Sequence, residues 1–279
     1  MPNRMVIQIS DTHIVAEGLL HDRVDSFANL ASIFEQIERS PERPDAVVLS
    51  GDLADHGGAT EYDRLRALVE PFAERLGVPV VYVPGNHDDL EQFRTSLFGG
   101  LGEGPIDQTV WVDGLRIICL DSSVLGGHHG ELSSTQLEAL ARELAKPAPE
   151  GTIVAIHHPP IPSPVKIVNL LSLRDPEKLA EVIRGTDVMM LLAGHAHHAS
   201  AGLFAGIPVW IATATAYQAD VLAGPETLRG LPGVAYTRVD VIEGAAYATQ
   251  IATAFGQLPV YEHSMAGIEE RIAAMAGTH

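Results

Sequence analysis

Five short stretches of this sequence place carboxylate, amide and imidazole side chains directly behind apolar runs. They are Ser10-Asp11-Thr12-His13, Ser50-Gly51-Asp52-Leu53-Ala54-Asp55, Gly85-Asn86-His87-Asp88, His157-His158-Pro159-Pro160 and Gly194-His195-Ala196-His197-His198. Each alone has a plainer reading. Gly, Asn and Asp form ordinary turns, a lone Asp-x-His more often starts a turn or a helix than binds an ion, and a His-His pair can be buried and satisfied by backbone. Gly-His-Ala-His is the most suggestive single element. All five together, each at the end of a strand-like run, describe one shared site at the carboxyl edge where open α/β sheets hold their ligands.

The spacing suggests the chemistry. Side chains two apart on extended chain face the same way, so Asp11 and His13 can converge, as can His195 and His197. Glycines at 51, 85 and 194 allow tight turns and close approach of backbone to a bound group. An inventory of carboxylates, an amide and imidazoles, with no thiolate, suits divalent Mn, Fe, Co or Zn. Four such ligands hold one ion, whereas about seven around a shared carboxylate hold two, roughly 3.5–4 Å apart.

Strands and helices must position those motifs. MVIQIS, DAVVLS and PVVYV read as buried strands, separated by helical periodicity over 24–39 and 59–76. Nearly all-apolar strands alternating with helices are the signature of a parallel sheet covered on both faces. Two strands turning at Asp113-Gly114 follow within 109–120, then a helix over 133–145. Strands at 152–158 and 187–195 flank a helix over 176–184, and paired short strands at 200–206 and 208–214 look antiparallel. These predict a second sheet packed on the first. Residues 216–233, rich in Gly, Pro and Ala, read as a loop. Strands at 234–242 and 246–254 and a terminal helix, with Ile268, Ile272 and Met275 on one face, complete the chain. The expected division is a catalytic domain over 1–215 and a C-terminal segment, 216–279, that completes the second sheet.

Composition narrows the class. With 279 residues and 46% hydrophobic content the chain can bury a large core. A net charge of −18 argues against a nucleic-acid backbone as partner, and bound divalent cations would offset part of it. Cys119 is the single cysteine, so neither a disulfide framework nor a thiolate metal site is expected. No apolar run reaches the roughly 18 residues of a membrane span, and the N-terminus reads as a strand rather than a leader. The expectation is a cytoplasmic protein without nucleic-acid partners or stable membrane insertion.

The motifs DTH, GDLAD, GNHD, HHPP and GHAH together resemble those of the calcineurin-like metallophosphoesterase superfamily, over residues from about 5 to 215. GNHDD, GTIVAIHHPPIPS and HHGEL at 128–132 are most similar to the bacterial class III cyclic nucleotide phosphodiesterases, which are related to glycerophosphodiesterases. The resemblance implies an α/β fold of two mixed β-sheets flanked by helices, in four α/β/β/α layers. It implies a first metal ion on Asp11, His13, Asp52 and His197 and a second on Asp52, Asn86, His157 and His195, with Asp52 bridging. Iron or manganese is the expected pair, with zinc or cobalt as alternatives. His87 is implied to face the leaving group as a proton donor paired with Asp55, while Asn86 helps to fix the phosphate. His128 and His129 lie in a loop before a helix, where a surface role is the plain alternative; the resemblance implies a substrate-facing histidine in this loop, assigned to His129. Tyr217, just past the last core strand, is expected to line the pocket.

One departure bears on the substrate. Related protein phosphatases follow their second motif with an arginine that clamps a dianionic monoester, whereas Asp55-His56-Gly57 carries none. A site without that bidentate clamp favours a monoanionic diester. The implied activity is hydrolysis of 3′,5′-cyclic nucleotides, cyclic AMP foremost, with tolerance for other diesters. The alternatives are a glycerophosphodiester or nucleotide-pyrophosphate hydrolase on the same scaffold and, more remotely, a non-catalytic protein-binding scaffold. Relatives of this kind are often dimers and 216–279 supplies apolar surface, so a homodimer is expected. His158 is expected behind the ligands, Cys119 in the core, and no role is expected for His21, His56, His198, His263 or His279.

Overall fold

The computed structural model describes residues 4–100, 102–224, 227–253, 264–266, 268 and 269. In chain order its elements are β1 (Arg4–Ile9), α1 (Ser26–Arg39), β2 (Ala46–Ser50), α2 (Ala59–Leu76), β3 (Val80–Val83), α3 (Leu90–Phe98), β4 (Gln108–Val112) and β5 (Leu115–Leu120). They continue with α4 (Ser134–Leu144), β6 (Thr152–Ile156), α5 (Lys166–Leu171), α6 (Pro176–Ile183), β7 (Val188–Ala193), β8 (Ser200–Phe204) and β9 (Ile207–Ile211). The last are β10 (Gln218–Ala219), β11 (Gly230–Leu231), β12 (Ala235–Ile242) and β13 (Ala245–Ala252). Local chemistry sets the helix ends. Asp25 and Asp89 accept the N–H groups of Ala28 and Gln92, Ser133 and Gln136 form a capping box, and Gly77 ends α2 at a left-handed φ of 68°.

Two large sheets form, in the orders β13-β12-β1-β2-β3 and β4-β5-β6-β7-β9-β8, while β10 and β11 make a separate hairpin. β1, β2 and β3 run parallel, as do β5, β6, β7 and β9. Their inner faces meet through Val6, Val48, Val81 and Val83 against Ile117, Cys119, Ile153 and Leu192. Ile33, Phe34, Leu65, Phe72 and Phe93 pack α1, α2 and α3 on the outer face of the first sheet. Leu140, Val168, Leu179 and Ile183 do the same for α4, α5 and α6 on the second. This is the expected α/β/β/α sandwich. β2 is buried at every position because sheet covers one side and helix the other.

The C-terminal strands correct the sequence reading: they join the first sheet, not the second. β12 pairs antiparallel with β1, from Arg4–Val241 to Gln8–Thr237. It contributes Val239 and Val241 to the inter-sheet layer and Tyr236 to the helix side. Alternation along a strand determines its two faces but not which free edge accepts it, and β1 had one edge open. The 216–233 stretch also departs from a plain loop, since it contains β10 and β11. Helices α3 and α5 arise where none is predicted; at 9 and 6 residues they carry little periodicity to read. Of the terminal helix only 264–266, 268 and 269 are described, as a helical turn, and Ile272 and Met275 lie outside the described residues.

The amino-terminal edge of the second sheet is stapled by Arg116, whose side chain is fully buried. Its Nε donates to Thr152 Oγ1 (2.9 Å), Nη1 to the Lys146 carbonyl (2.8 Å) and Nη2 to both Asp187 oxygens (2.8 and 3.0 Å). It therefore joins β5, β6, the turn after α4 and the entry to β7. Arg116→Leu strands those acceptors and is expected to lower stability by ~3 kcal/mol while leaving metal content unchanged. Urea unfolding with elemental analysis checks this, and an unchanged midpoint would contradict it.

Candidate metal centre

The motif residues leave the carboxyl ends of β1, β2, β3, β6 and β7. The first sheet thus supplies Asp11, His13, Asp52 and Asn86, and the second supplies His157, His195 and His197. They meet at the seam between the sheets. Hydrogen bonds cross that seam: His195 N–H donates to Asp11 Oδ1 (3.0 Å), His157 Nδ1–H to the Ser50 carbonyl (2.9 Å), and the Gln8 amide to the Ala193 carbonyl (2.9 Å).

The backbone here is not extended, which corrects the reason given for convergence. Asp11, His13, Asp52, His195 and His197 all have left-handed φ, between 42° and 69°. Asp11 meets His13, and His195 meets His197, through tight left-handed turns rather than through strand pleat. Such conformations cost about 1–3 kcal/mol each in residues other than glycine and persist only where the surroundings hold them. Asp11 N–H donates to the Gly51 carbonyl (3.0 Å) and His13 N–H to the Asp52 carbonyl (2.9 Å), pinning two of these turns. The glycines before the ligand positions make space. A Cβ at Gly51 would stand 2.1 Å from His157 Nδ1, at Gly85 2.2 Å from Asp52 Oδ1, and at Gly194 2.1 Å from Ser10 Oγ.

Donor atoms of Asp11, His13, Asp52 and His197 all lie within 4.8 Å of one another. His13 Nε2 faces His197 Nε2 at 3.1 Å, and His197 Nε2 lies 3.4 Å from Asp11 Oδ1. On the other side of Asp52, His157 Nε2 approaches Asp52 Oδ2 at 3.3 Å, an ion-pair distance without hydrogen-bond geometry. Asn86 Oδ1 and His195 Nε2 are buried with no hydrogen-bond partner. Buried polar atoms of this kind need a partner, and lone pairs from carboxylate, amide and imidazole converging on two sides of one carboxylate fit divalent cations.

The electrostatics agree. Burial raises the Asp11 carboxyl to about 6, with His157 opposing the rise and Asp52 adding to it. Burial also pushes Asp52 upward, but His157 and His13 outweigh it and hold the carboxyl well below its usual range. Burial pulls His157 down, yet Asp52 more than reverses this, to about 9. His13 is likewise shifted up against burial by its hydrogen bond to Asp55 and by the nearby carboxylates. Burial and His157 take His195 down to about 3, while burial and His13 hold His197 well below the usual imidazole range. His13 and His157 are thus favoured in their protonated forms by the carboxylates, and His195 and His197 are kept neutral, with lone pairs to offer.

Asp55 and His87 sit together, but not in the pairing inferred from sequence. The Asp55 carboxylate hydrogen-bonds His13 Nδ1 at 3.0 Å. His87 Nδ1–H donates instead to the Asp55 backbone carbonyl at 2.8 Å, with Asp55 Oδ1 3.8 Å away. Donor atoms of His13, Asp55 and His87 also come within 4.8 Å of one another. His128, not His129, reaches the cleft, its Nδ1 lying 3.4 Å from Asn86 Nδ2, while the His129 ring turns to Glu131 at 3.0 Å. Tyr217 lines the cleft against His197, at 4.5 Å between ring centroids, and His21 joins it at 5.4 Å. His158 is fully buried, its Nδ1 2.8 Å from Ser122 Oγ, with donor atoms near those of His157 and His195.

The sequence reading missed Asp88. Its buried carboxylate accepts the N–H groups of Leu53 (3.1 Å), Ala54 (3.1 Å) and Gly85 (2.8 Å) and the Tyr62 hydroxyl (2.9 Å). It thereby clamps the turn after β2 to the turn after β3. Asp89, beside it, caps α3, the one role in this run that a local rule reads directly.

The cluster forms the floor of a cleft of about 740 Å³. Asp52, Asn86, His87, His195 and His197 face it from below, and Val168, Leu171, Tyr217, Leu228 and Leu231 make apolar walls.

Residues 5–199 match the model of the calcineurin-like phosphoesterase family. The chain is 47% identical over 234 residues to a cAMP/cGMP dual specificity phosphodiesterase of Mycobacterium tuberculosis, covering 83% of this chain and 74% of that protein. It is 32% identical to a probable glycerophosphodiester phosphodiesterase of Arcobacter nitrofigilis, over 77% of this chain and 79% of that one. The fold is similar to that of a dimetal phosphatase from Danio rerio, with a TM-score of 0.61 at 17% identity over 90% and 99% of the two chains.

Because Asp52 stands between the two donor groups, Asp52→Ala is expected to abolish activity and lower metal at both positions. Gly85→Ala, which drives a methyl group into Asp52, should do the same with every donor retained. Metal content per chain after dialysis decides; two ions retained in Asp52→Ala would rule out a bridging role.

Proposed function

The chain belongs to the calcineurin-like phosphoesterase family, and on that premise we propose that it is a dinuclear-metal phosphodiesterase hydrolysing 3′,5′-cyclic nucleotides, cyclic AMP foremost. The observation that carries the reading is the convergence of lone-pair donors on both sides of Asp52 at the floor of a cleft. One cation would be held by Asp11, His13, Asp52 and His197, the other by Asp52, Asn86, His157 and His195. Such a pair supplies positive charge against the phosphoryl oxygens and makes a water acidic enough to ionise near neutrality.

The chain's own residues supply the rest. Asn86 has an amide whose buried, unpartnered Oδ1 would serve a cation, while its Nδ2 lies near His128. His87 is fixed through Nδ1–H on the Asp55 carbonyl, which leaves Nε2 to carry the proton needed by the departing alkoxide. Asp55 orients His13 directly and puts negative charge beside His87. The absence of an arginine after Asp55-His56 leaves a monoanionic diester as the better match than a dianionic monoester.

Glycerophosphodiesters would meet the same floor, but the apolar walls favour a diester that carries a base, a feature that nucleotide pyrophosphates share. An intact donor set speaks against a non-catalytic scaffold. Turnover of cyclic AMP, glycerophosphoethanolamine and an aryl phosphomonoester on one preparation tests the order of preference. The reading further takes iron or manganese as the ions and the cytoplasm, where cyclic nucleotides act, as the location. It takes a homodimer as the assembly, using part of the 216–279 segment, where Val221 and Leu222 are exposed outside the cleft lining. A monomer mass by light scattering at micromolar concentration would remove the dimer.

His87 separates mechanism from metal binding. His87→Ala should keep both ions and lose roughly 10²–10⁴-fold in rate on a ribose leaving group, but much less on a nitrophenolate diester, which needs little protonation. Equal losses on both would make His87 a phosphate-binding group. Loss of metal would put it in the coordination shell.

A further inference from the structure

The cleft is larger than a phosphodiester linkage alone requires, and its lining combines the polar donor cluster with several apolar side chains, Arg23, Asp25 and Arg229 lying among them. Beyond the polar floor, its walls come from α5, through Ile167, Val168 and Leu171, and from the β10–β11 hairpin, through Leu228 and Leu231. Leu228 is 69% exposed, Leu231 42% and Ile167 40%. Apolar side chains left open around a concavity mark a ligand surface, and a cleft of this volume suits a ligand of nucleotide size.

The hairpin is built onto the metal cluster. Ala219 N–H donates to the His197 carbonyl (2.8 Å), and His197 Nδ1–H to the Tyr217 carbonyl (3.3 Å). Asp220 closes the hairpin, donating its N–H to the Arg229 carbonyl (2.8 Å) and accepting from Arg229 Nε (2.8 Å). Two glycines let the return strand lie flat on its base. A Cβ at Gly230 would stand 2.9 Å from the Tyr217 ring, and one at Gly233 2.6 Å from the Gln218 amide. Leu228 and Leu231 are therefore held at a set position relative to His197.

We propose that the β10–β11 hairpin and α5 form the nucleobase subsite and so determine which diesters the enzyme selects. The inference rests on the phosphodiesterase reading. A planar base lies against Leu228 and Leu231 on one wall and Val168 and Leu171 on the other, while its phosphate reaches the floor. Contacts to a base remote from the reacting phosphorus are made equally in ground and transition states, so their loss raises KM and leaves kcat in place.

The test is the double variant Leu228→Ser/Leu231→Ser, whose exposed positions put little of the fold at risk. Expected are a KM for cyclic AMP raised by about tenfold or more, a kcat within about twofold of the parent, and inhibition by adenosine weakened by a similar factor to KM. Metal content and inhibition by inorganic phosphate, which probes only the floor, should not change. An unchanged KM and unchanged adenosine inhibition would overturn the subsite while leaving the phosphodiesterase reading intact. Equal weakening of adenosine and phosphate would reduce the hairpin to a structural prop and also overturn it. Failure of the parent protein to turn over cyclic AMP would sink the reading beneath it instead.

Discussion

Two carboxylates, Asp11 and Asp52, are buried between two sheets, and the rest of the site follows from that. An ionised carboxylate out of water costs several kcal/mol unless opposite charge and hydrogen bonds compensate it. Here His157 is pushed toward its charged form by those carboxylates and His13 by Asp55 together with them, while His195 and His197 are pushed to neutrality. Divalent ions in the cluster would take over the compensating charge and release the protons that the imidazoles hold. A centre of this kind is unstable as a bare polar pocket and well matched as a metal cradle.

Holding it demands a scaffold with little freedom. Five of the proposed ligands have left-handed backbone, and the bonds that pin them run from turn to turn or sheet to sheet. Asp88 anchors one of those turns, after β2, to the turn after β3 through three backbone N–H groups and a tyrosine hydroxyl. Around it the glycines leave no spare volume, so a single methyl group would displace a donor. Rigid support of this sort keeps donors within the narrow tolerance that metal chemistry needs. The inter-sheet layer of Val, Ile and Leu supplies the stiffness beneath.

The cleft divides its work between two kinds of surface. Its floor offers charge and hydrogen-bond donors of the kind a phosphoryl group uses, and its walls offer area to an apolar ring. His197 belongs to both, since its ring turns toward Asp11 and His13 and its carbonyl carries the hairpin. With His197 as a ligand and the hairpin as a base wall, both as proposed, selection of substrate and placement of a ligand would be mechanically linked at that residue.

Much of this was legible in the sequence, for physical reasons. Nearly all-apolar runs such as AVVLS, alternating with helical stretches, read as strands covered on both faces, and polar clusters at their ends then gather at one sheet edge. A shared site at the strand ends and a second sheet packed on the first followed from that pattern, while the choice of seven donor positions and the α/β/β/α layering came from the family resemblance. The tertiary structure decided what short-range rules do not contain. It set β12 against the open edge of β1, because a strand's alternation does not name its partner. It turned Asp11 and His195 into left-handed backbone, because bonds between neighbouring turns and across the seam, which no local rule contains, hold that strain. It sent the Asp55 carboxylate to His13 and brought His128 rather than His129 to the cleft, because adjacent side chains differ in direction by the fold around them. Asp88 was one more polar residue in a turn until distant N–H groups converged on it; residue type shows what a group can bond, and only the fold brings it a partner.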